Sequence, residues 1–182
     1  MNYLIISGNP KSDGLCHSVQ LEIERGARDG GAEVNVVTTE KFDRCRVCDA
    51  GWGPCRDEHR CTFGADGFNN AQVAAHEADA ICIITSVYWG EATESLKCFL
   101  DRLRRCEFGQ SGAMSGKPVL LVASPGGSGN GMVSCFDQLD RFCRHVGATI
   151  FDYIGVNRRN CEYKRQAAYS AAKLMTETRS DI

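Results

Sequence analysis

Apolar and polar positions along this chain alternate between two periods. Residues 3–7, 79–85, 117–123 and 149–156 are short apolar runs bounded by polar residues, which predicts strands buried on both faces. Residues 32–38 (AlaGluValAsnValValThr) alternate and predict a further strand. Between them the period lengthens. Leu15, Val19, Ile23 and Ala27 recur every fourth residue across a helix of about 15–28, which Gly30 and Gly31 stop. Helices are likewise predicted at 67–77, at 92–106 (Leu96, Phe99, Leu100 and Leu103 inward), at 132–146 (Phe136, Leu139, Cys143 and Val146) and at 162–177 (Ala167, Ala171, Leu174 and Met175). Residues 40–66 follow neither period and predict a long functional loop, with shorter loops at 8–14, 86–91, 109–116 and 124–131.

Strand and helix alternate five times, which requires right-handed crossovers and a parallel sheet covered by helices on both faces. A five-stranded α/β sandwich of three layers favours the flavodoxin-like order 2-1-3-4-5, whose ligand crevice lies at the switch between strands one and three. The 8–14 and 86–91 loops are then neighbours, and the glycine-rich 124–131 loop flanks them. The 182 residues predict a single domain over 1–182 that buries roughly 70% of its unfolded surface.

Chemistry concentrates in those loops. The loop GlyAsnProLysSerAspGly leads into a helix N-terminus, where free amides and the helix dipole favour an anion. Lys11 adds charge, and Asn9, Ser12 and Ser18 can hydrogen-bond phosphate oxygens. The alternative is an ordinary strand-to-helix loop capped by Ser12 or Asp13. In 86–91 (SerValTyrTrpGlyGlu) an aromatic pair beside a glycine suits a flat conjugated ligand, or else plugs the end of the core. No G-x-G-x-x-G or P-loop is present, since GlyAlaMetSerGlyLysPro is one residue short and precedes a strand. The ends of strands one and three lack the acids of a phosphoacceptor receiver, and no arginine closes a phosphatase loop after Cys16.

The formal charge of -2 and a pI of about 6.1 give no basic footprint for nucleic acid. Arg102, Arg104, Arg105, Arg141 and Arg144 fall on two predicted helices and are expected as solvated faces or a subunit contact. Met1 runs straight into a strand without a signal peptide, and no apolar segment is long enough to span a bilayer, so a cytoplasmic protein is expected. In that reducing compartment the eleven cysteines do not predict a disulfide framework. Cys82, Cys98, Cys106, Cys135 and Cys143 lie within strand or helix patterns and are expected to be inert core thiols. Cys45, Cys48, Cys55 and Cys61 instead cluster in the long loop as C-x2-C-x6-C-x5-C, four soft ligands suited to zinc or an iron–sulfur cluster, with His59 as a substitute ligand. A loop of reduced thiols without metal is the third reading.

GlyAsnProLysSerAspGlyLeuCysHisSer resembles the phosphate loop of flavodoxin-like FMN proteins: NADPH-dependent FMN reductases, quinone reductases and iron–sulfur flavoproteins. SerValTyrTrpGly followed by LeuLysCysPheLeuAspArg resembles their Ser-Pro-Val-Tyr-Trp-Gly and Leu-Lys-x-Phe-Leu-Asp-Arg segment closely, and SerProGlyGlySerGly resembles their fourth-strand loop. The resemblance implies FMN, with its phosphate on Asn9, Lys11, Gly14, Leu15 and Cys16. Its ring would lie against Val87, Tyr88, Trp89 and Gly90, with Gly126 and Gly127 on the other side. It names no catalytic side chain. It implies an oxidoreductase drawing electrons from NADPH or NADH for a flavin, quinone or redox-partner acceptor, and a homodimer or homotetramer. The alternative is an FMN/iron–sulfur electron carrier without its own substrate turnover; a zinc-stabilised interaction domain is a third. Asn9, Leu15 and Cys16 depart from the usual serine, asparagine and threonine or serine, which predicts weaker phosphate binding. In iron–sulfur flavoproteins such a cysteine motif holds [4Fe–4S], normally with two residues between its second and third cysteines, where this chain has AspAlaGlyTrpGlyPro.

Overall fold

The computed structural model describes residues 1–109 and 113–177. Part of the expected 109–116 loop lies outside the described residues. Strands are β1 (Asn2–Gly8), β2 (Glu33–Thr38), β3 (Ala80–Tyr88), β4 (Glu91–Ala92), β5 (Pro118–Gly126) and β6 (Thr149–Asn157). Helices are α1 (Leu15–Asp29), α2 (Pro54–Asp57), α3 (Phe68–Glu77), α4 (Glu94–Cys106), α5 (Met132–Val146) and α6 (Cys161–Glu177). The five long strands are parallel in the order β2-β1-β3-β5-β6, the flavodoxin-like arrangement, with β4 antiparallel at the end of β3.

Buried strands alternate between two cores. Ile5, Cys82, Leu120 and Ile154 point to the α1/α6 side with Val19, Ile23, Ala168 and Met175. Ile6, Ile83 and Leu121 point to the α3/α4/α5 side with Phe68, Leu96, Phe99 and Leu139. Each such aliphatic side chain contributes roughly 1.5–3 kcal/mol on burial. At Gly8, where β1 leaves the sheet, an added Cβ would lie 2.6 Å from the Leu96 Cβ. Only glycine lets the start of α4 press onto the end of β1. The Thr93 hydroxyl donates to the Gly8 carbonyl at 2.8 Å, and the Thr93 amide to Thr85 Oγ1 at 3.1 Å. These bonds weld the two strand ends at the topological switch to α4.

Helix α5 matches its expected range, and the other predicted elements shift by a residue or two, except that β3 and β5 each run three residues further at the C-terminal end. The β4 hairpin was not foreseen, and the 40–66 segment holds α2 and 3-10 turns at Thr39–Lys41 and Gly64–Asp66. No helix among the described residues is long and apolar enough to cross a membrane.

Candidate functional site

Three helix N-termini meet the C-terminal edge of the sheet without side-chain caps. Gly14 caps α1, Thr93 caps α4 and Gly131 caps α5, and none accepts a side-chain hydrogen bond from the amides of its helix. Neither Ser12 nor Asp13 serves as the α1 cap, so the first amides of α1 remain unclaimed by side chains. Asn9 is buried and ties the loop into a turn: its Nδ2 donates to the Lys11 carbonyl at 2.5 Å, and the Lys11 amide donates back to its Oδ1 at 3.3 Å. Lys11 projects into a cleft of about 320 Å³ that Asn9, Ser12 and His17 also line. Thr38 and Glu40, at the end of β2 and just beyond it, line that cleft as well. The Ser18 hydroxyl donates to the Leu15 carbonyl. Cys16 is buried, its thiol directed at Ser86, and burial pushes it up to about 12.

On the other flank β3 turns back on itself. Val87 pairs with Ala92 and Tyr88 with Glu91, leaving Trp89 and Gly90 as a two-residue turn with φ of 54° and 86°. Positive φ at both central residues is the type I′ hairpin, which favours Asn-Gly and disfavours a bulky first residue. Trp89 accepts that conformation while 104% exposed, so it does not plug the core. Tyr88 is half-exposed beside it. The hairpin is held from outside: the Ala92 amide donates to Gln138 Oε1 on α5 at 2.8 Å, and a Cβ on Gly131 would lie 2.6 Å from the Gly90 Cα. Gly126 and Gly127 face open space, with no atom within 4 Å of an added Cβ. The edge thus presents unclaimed amides and Lys11 in its first loop, and exposed aromatics and bare backbone in the other two.

The cysteine loop forms a second locus. Cys45, Cys48, Cys55 and Cys61 line one cavity, and Cys106 of α4 lines it too. Val47, Asp49 and His59 have φ of 48°, 51° and 53°. With Trp89 they make up the non-glycine residues of positive φ among the described residues, so this strain falls within the two loci. Such strain costs on the order of 1–3 kcal/mol per residue and gathers at functional sites. Among the described residues no three His, Cys, Asp or Glu side chains converge on a position for one metal ion. Tetrahedral zinc would draw its thiolates to about 2.3 Å. Four thiols lining one cavity are, in kind, the donor set that would hold an iron–sulfur cluster. His59 Nδ1 lies 3.0 Å from the Cys106 carbonyl and does not line the cavity.

The profile of the family described as NADPH-dependent FMN reductase matches residues 1–160. The chain belongs to the NADPH-dependent FMN reductase family. No curated protein matches it. Among solved structures, this FMN reductase is similar to an NADH:FMN oxidoreductase in its apo form, with 16% identity, a TM-score of 0.71, and 97% of this chain and 89% of the other covered. It is similar to an FMN-dependent NADH-azoreductase from Bacillus anthracis str. Ames Ancestor, solved with FMN, at 10% identity, a TM-score of 0.68 and 99% coverage of both chains. A flavodoxin from the domain Archaea overlays with 14% identity, a TM-score of 0.65 and 98% of each chain. Those likenesses establish the fold; the family match carries the enzyme class, an NAD(P)H-dependent FMN reductase.

Two arginines of this FMN reductase are not solvated as expected. Arg102 is 2% exposed, and Arg105 stacks on Trp52 at 4.8 Å and donates to the Gly51 carbonyl at 2.5 Å. Both line the cysteine cavity, as does Cys106, expected as an inert core thiol. Burial and the nearby Cys61 and Cys55 push the Cys106 thiol up to about 12. Trp52 packs on Phe108 with ring centroids 4.9 Å apart, holding the loop rather than facing the hairpin. Arg141 and Arg144 do form exposed pairs with Asp137 and Asp140 on α5.

Proposed function

We propose that FMN binds across the C-terminal edge of the sheet and that this domain transfers electrons from NADPH or NADH to a small acceptor such as a flavin, quinone or azo compound. The strained, fully exposed Trp89 of the β3–β4 hairpin carries the reading, because nothing in the chain's own packing accounts for it. When bound, FMN supplies hydride acceptance and one- or two-electron release. The chain supplies position and charge. Lys11 and the amides of Gly14, Leu15 and Cys16 hold the phosphate, and Asn9 keeps their loop in shape. Val87, Tyr88, Trp89 and Gly90 line one side of the ring, Gly126 and Gly127 the other. Backbone amides of 88–91 stabilise negative charge on the pyrimidine edge. No side chain is assigned a proton transfer. A second copy covering Tyr88, Trp89 and the exposed Val133 would exclude water, which favours a homodimer or homotetramer. Light scattering that finds a monomer overturns that part.

Protein purified under anaerobic conditions should take up FMN stoichiometrically and oxidise NADPH or NADH with an added acceptor. Failure to bind FMN, or undiminished FMN affinity in both Lys11→Ala and Trp89→Ala, sinks the assignment.

A second reading concerns the cysteine cavity: Cys45, Cys48, Cys55 and Cys61 hold a [4Fe–4S] cluster. It is supported by thiols lining one cavity with a buried guanidinium whose Nε has no acceptor. When bound, such a cluster supplies one-electron storage beside the flavin. Its four cysteines provide the thiolates, and Arg105 and Trp52 pin the loop that carries them to α4. Iron and acid-labile sulfide far below four per chain after anaerobic reconstitution would refute it.

A further inference from the structure

Arg102 is a buried cation with one donor left over. Its Nη1 donates to the Asp43 carbonyl at 2.8 Å and to Asp66 Oδ2 at 2.6 Å. Its Nη2 reaches Asp66 Oδ1 at 3.2 Å, the Phe63 carbonyl at 3.0 Å and Cys61 Sγ at 3.4 Å. The guanidinium also lies over the Phe68 ring at 4.1 Å. Nε is buried and donates to nothing. Leaving a buried donor unmet costs about 1–3 kcal/mol, and more on a charged group. A side chain so fully engaged on its Nη atoms has no packing reason to leave Nε orphaned.

The surroundings say what kind of acceptor is missing. Arg102 lines the thiol cavity, as do Arg44, Arg46 and Arg105, and no carboxylate lines it. Asp66, its one acidic partner, is not part of the cavity lining. The space is therefore positive and edged with sulfur. It suits a sulfur-rich anion, and a thiolate-ligated cluster is one.

We propose that Arg102 donates Nε–H, together with Nη2–H, to sulfur atoms of a [4Fe–4S] cluster in this cavity and so raises its reduction potential. The proposal rests on the cluster reading above. Hydrogen bonds to sulfur and nearby positive charge both favour the state holding one more electron. Arg102 is thus a positioning and tuning residue, and Asp66 moderates it by partly neutralising its charge.

The test is a redox titration of the reconstituted holoprotein with dithionite as one-electron reductant, followed by the electron paramagnetic resonance signal of the reduced cluster. Arg102→Lys keeps the charge and removes Nε–H. It should make reduction on the order of tenfold less favourable, about 59 mV downward for one electron. Asp66→Asn keeps an acceptor for the surrounding amides and removes the neutralising charge, so the potential should rise. Opposite shifts support the proposal. If Arg102→Lys does not fold, the Asp66→Asn shift decides alone, and a fall or no change overturns it. Full iron and sulfide with unchanged potentials in both variants refutes the role of Arg102 while sparing the cluster. Wild-type protein that holds no cluster refutes both.

Discussion

Replacing Trp89 by glycine should make the apoprotein more stable and the FMN complex weaker. Trp89 is 104% exposed, so its removal forfeits essentially no buried surface. Its φ of 54° places an L-residue in the left-handed region, at about 1–2 kcal/mol. Glycine relieves that cost but adds unfolded-state entropy of roughly 0.5–1 kcal/mol. The net gain is therefore about 0–1.5 kcal/mol, or up to about 6 °C in Tm for a chain of this size. Gly90, already at φ 86°, keeps the hairpin two-residue and type I′. The loss falls on the ligand: one aromatic face stacked on a heterocycle is worth about 1–3 kcal/mol, so Kd should rise roughly 5- to 150-fold. Thermal unfolding of apoprotein and quenching of FMN fluorescence measure the two effects separately. A lower Tm would mean that Trp89 packs on something and the strain argument fails. Unchanged FMN affinity would remove the aromatic from the site.

Lys11→Ala should weaken FMN binding on the order of tenfold at low salt, consistent with loss of a charge-assisted bond, and by less at high salt; equal loss in both salts would point to a structural role. Asp66 sits partly buried, which opposes its charge, but hydrogen bonds from Arg102 and from the Asp43 and Phe68 amides outweigh this and hold its carboxyl below the usual carboxylate range. A lowered folded pKa contributes stability above the unfolded value of about 3.9, and that stability is lost as pH falls through the folded value. Acid unfolding curves should therefore flatten below about pH 4 in Asp66→Asn, and an unchanged curve would show that the pair is not what fails in acid. Burial pushes the thiols of Cys16, Cys135 and Cys143 up to about 12, so they stay protonated and shielded. Iodoacetamide at pH 8 on native apoprotein should modify the half-buried loop cysteines first, and early labelling of those three by mass spectrometry would contradict the burial.

Both cores and the strand order were legible because their signals are local. Ile5 and Ile6, or Cys82 and Ile83, sit on opposite faces of strands covered on both sides, and the run of apolar residues reports that directly. The hairpin was not legible. Tyr88-Trp89-Gly90-Glu91 carries no Asn-Gly or Asp-Gly signal, since the first turn residue is one that the turn resists. Arg102 was misjudged for a different reason. It lies three residues after Phe99 and four before Cys106, on the inward side of α4, but an arginine there reads as solvent unless its partner is known. That partner, Asp66, is brought in by a loop without periodicity, across 36 residues of sequence. Cys106 joins the cysteine cavity by the same long-range closure, which no spacing motif within 45–61 could reveal.

The two loci share one rigid element. Thr93, at the head of α4, binds the end of β1 beside the 8–14 loop, while Arg102, Arg105 and Cys106 on the same helix wall the cysteine cavity. Nine residues separate Thr93 from Arg102, about 13 Å along an unbroken α-helix. Phe99, between them, stacks on Phe42 with centroids 5.2 Å apart and meets Phe68 edge-on at 5.5 Å, so the intervening volume is packed aromatic core rather than water. A separation fixed by a helix does not vary with loop motion. The strained residues lie in the hairpin and the 45–59 loop, which α4 holds apart. The helix sets the distance; the strained loops set what each end presents.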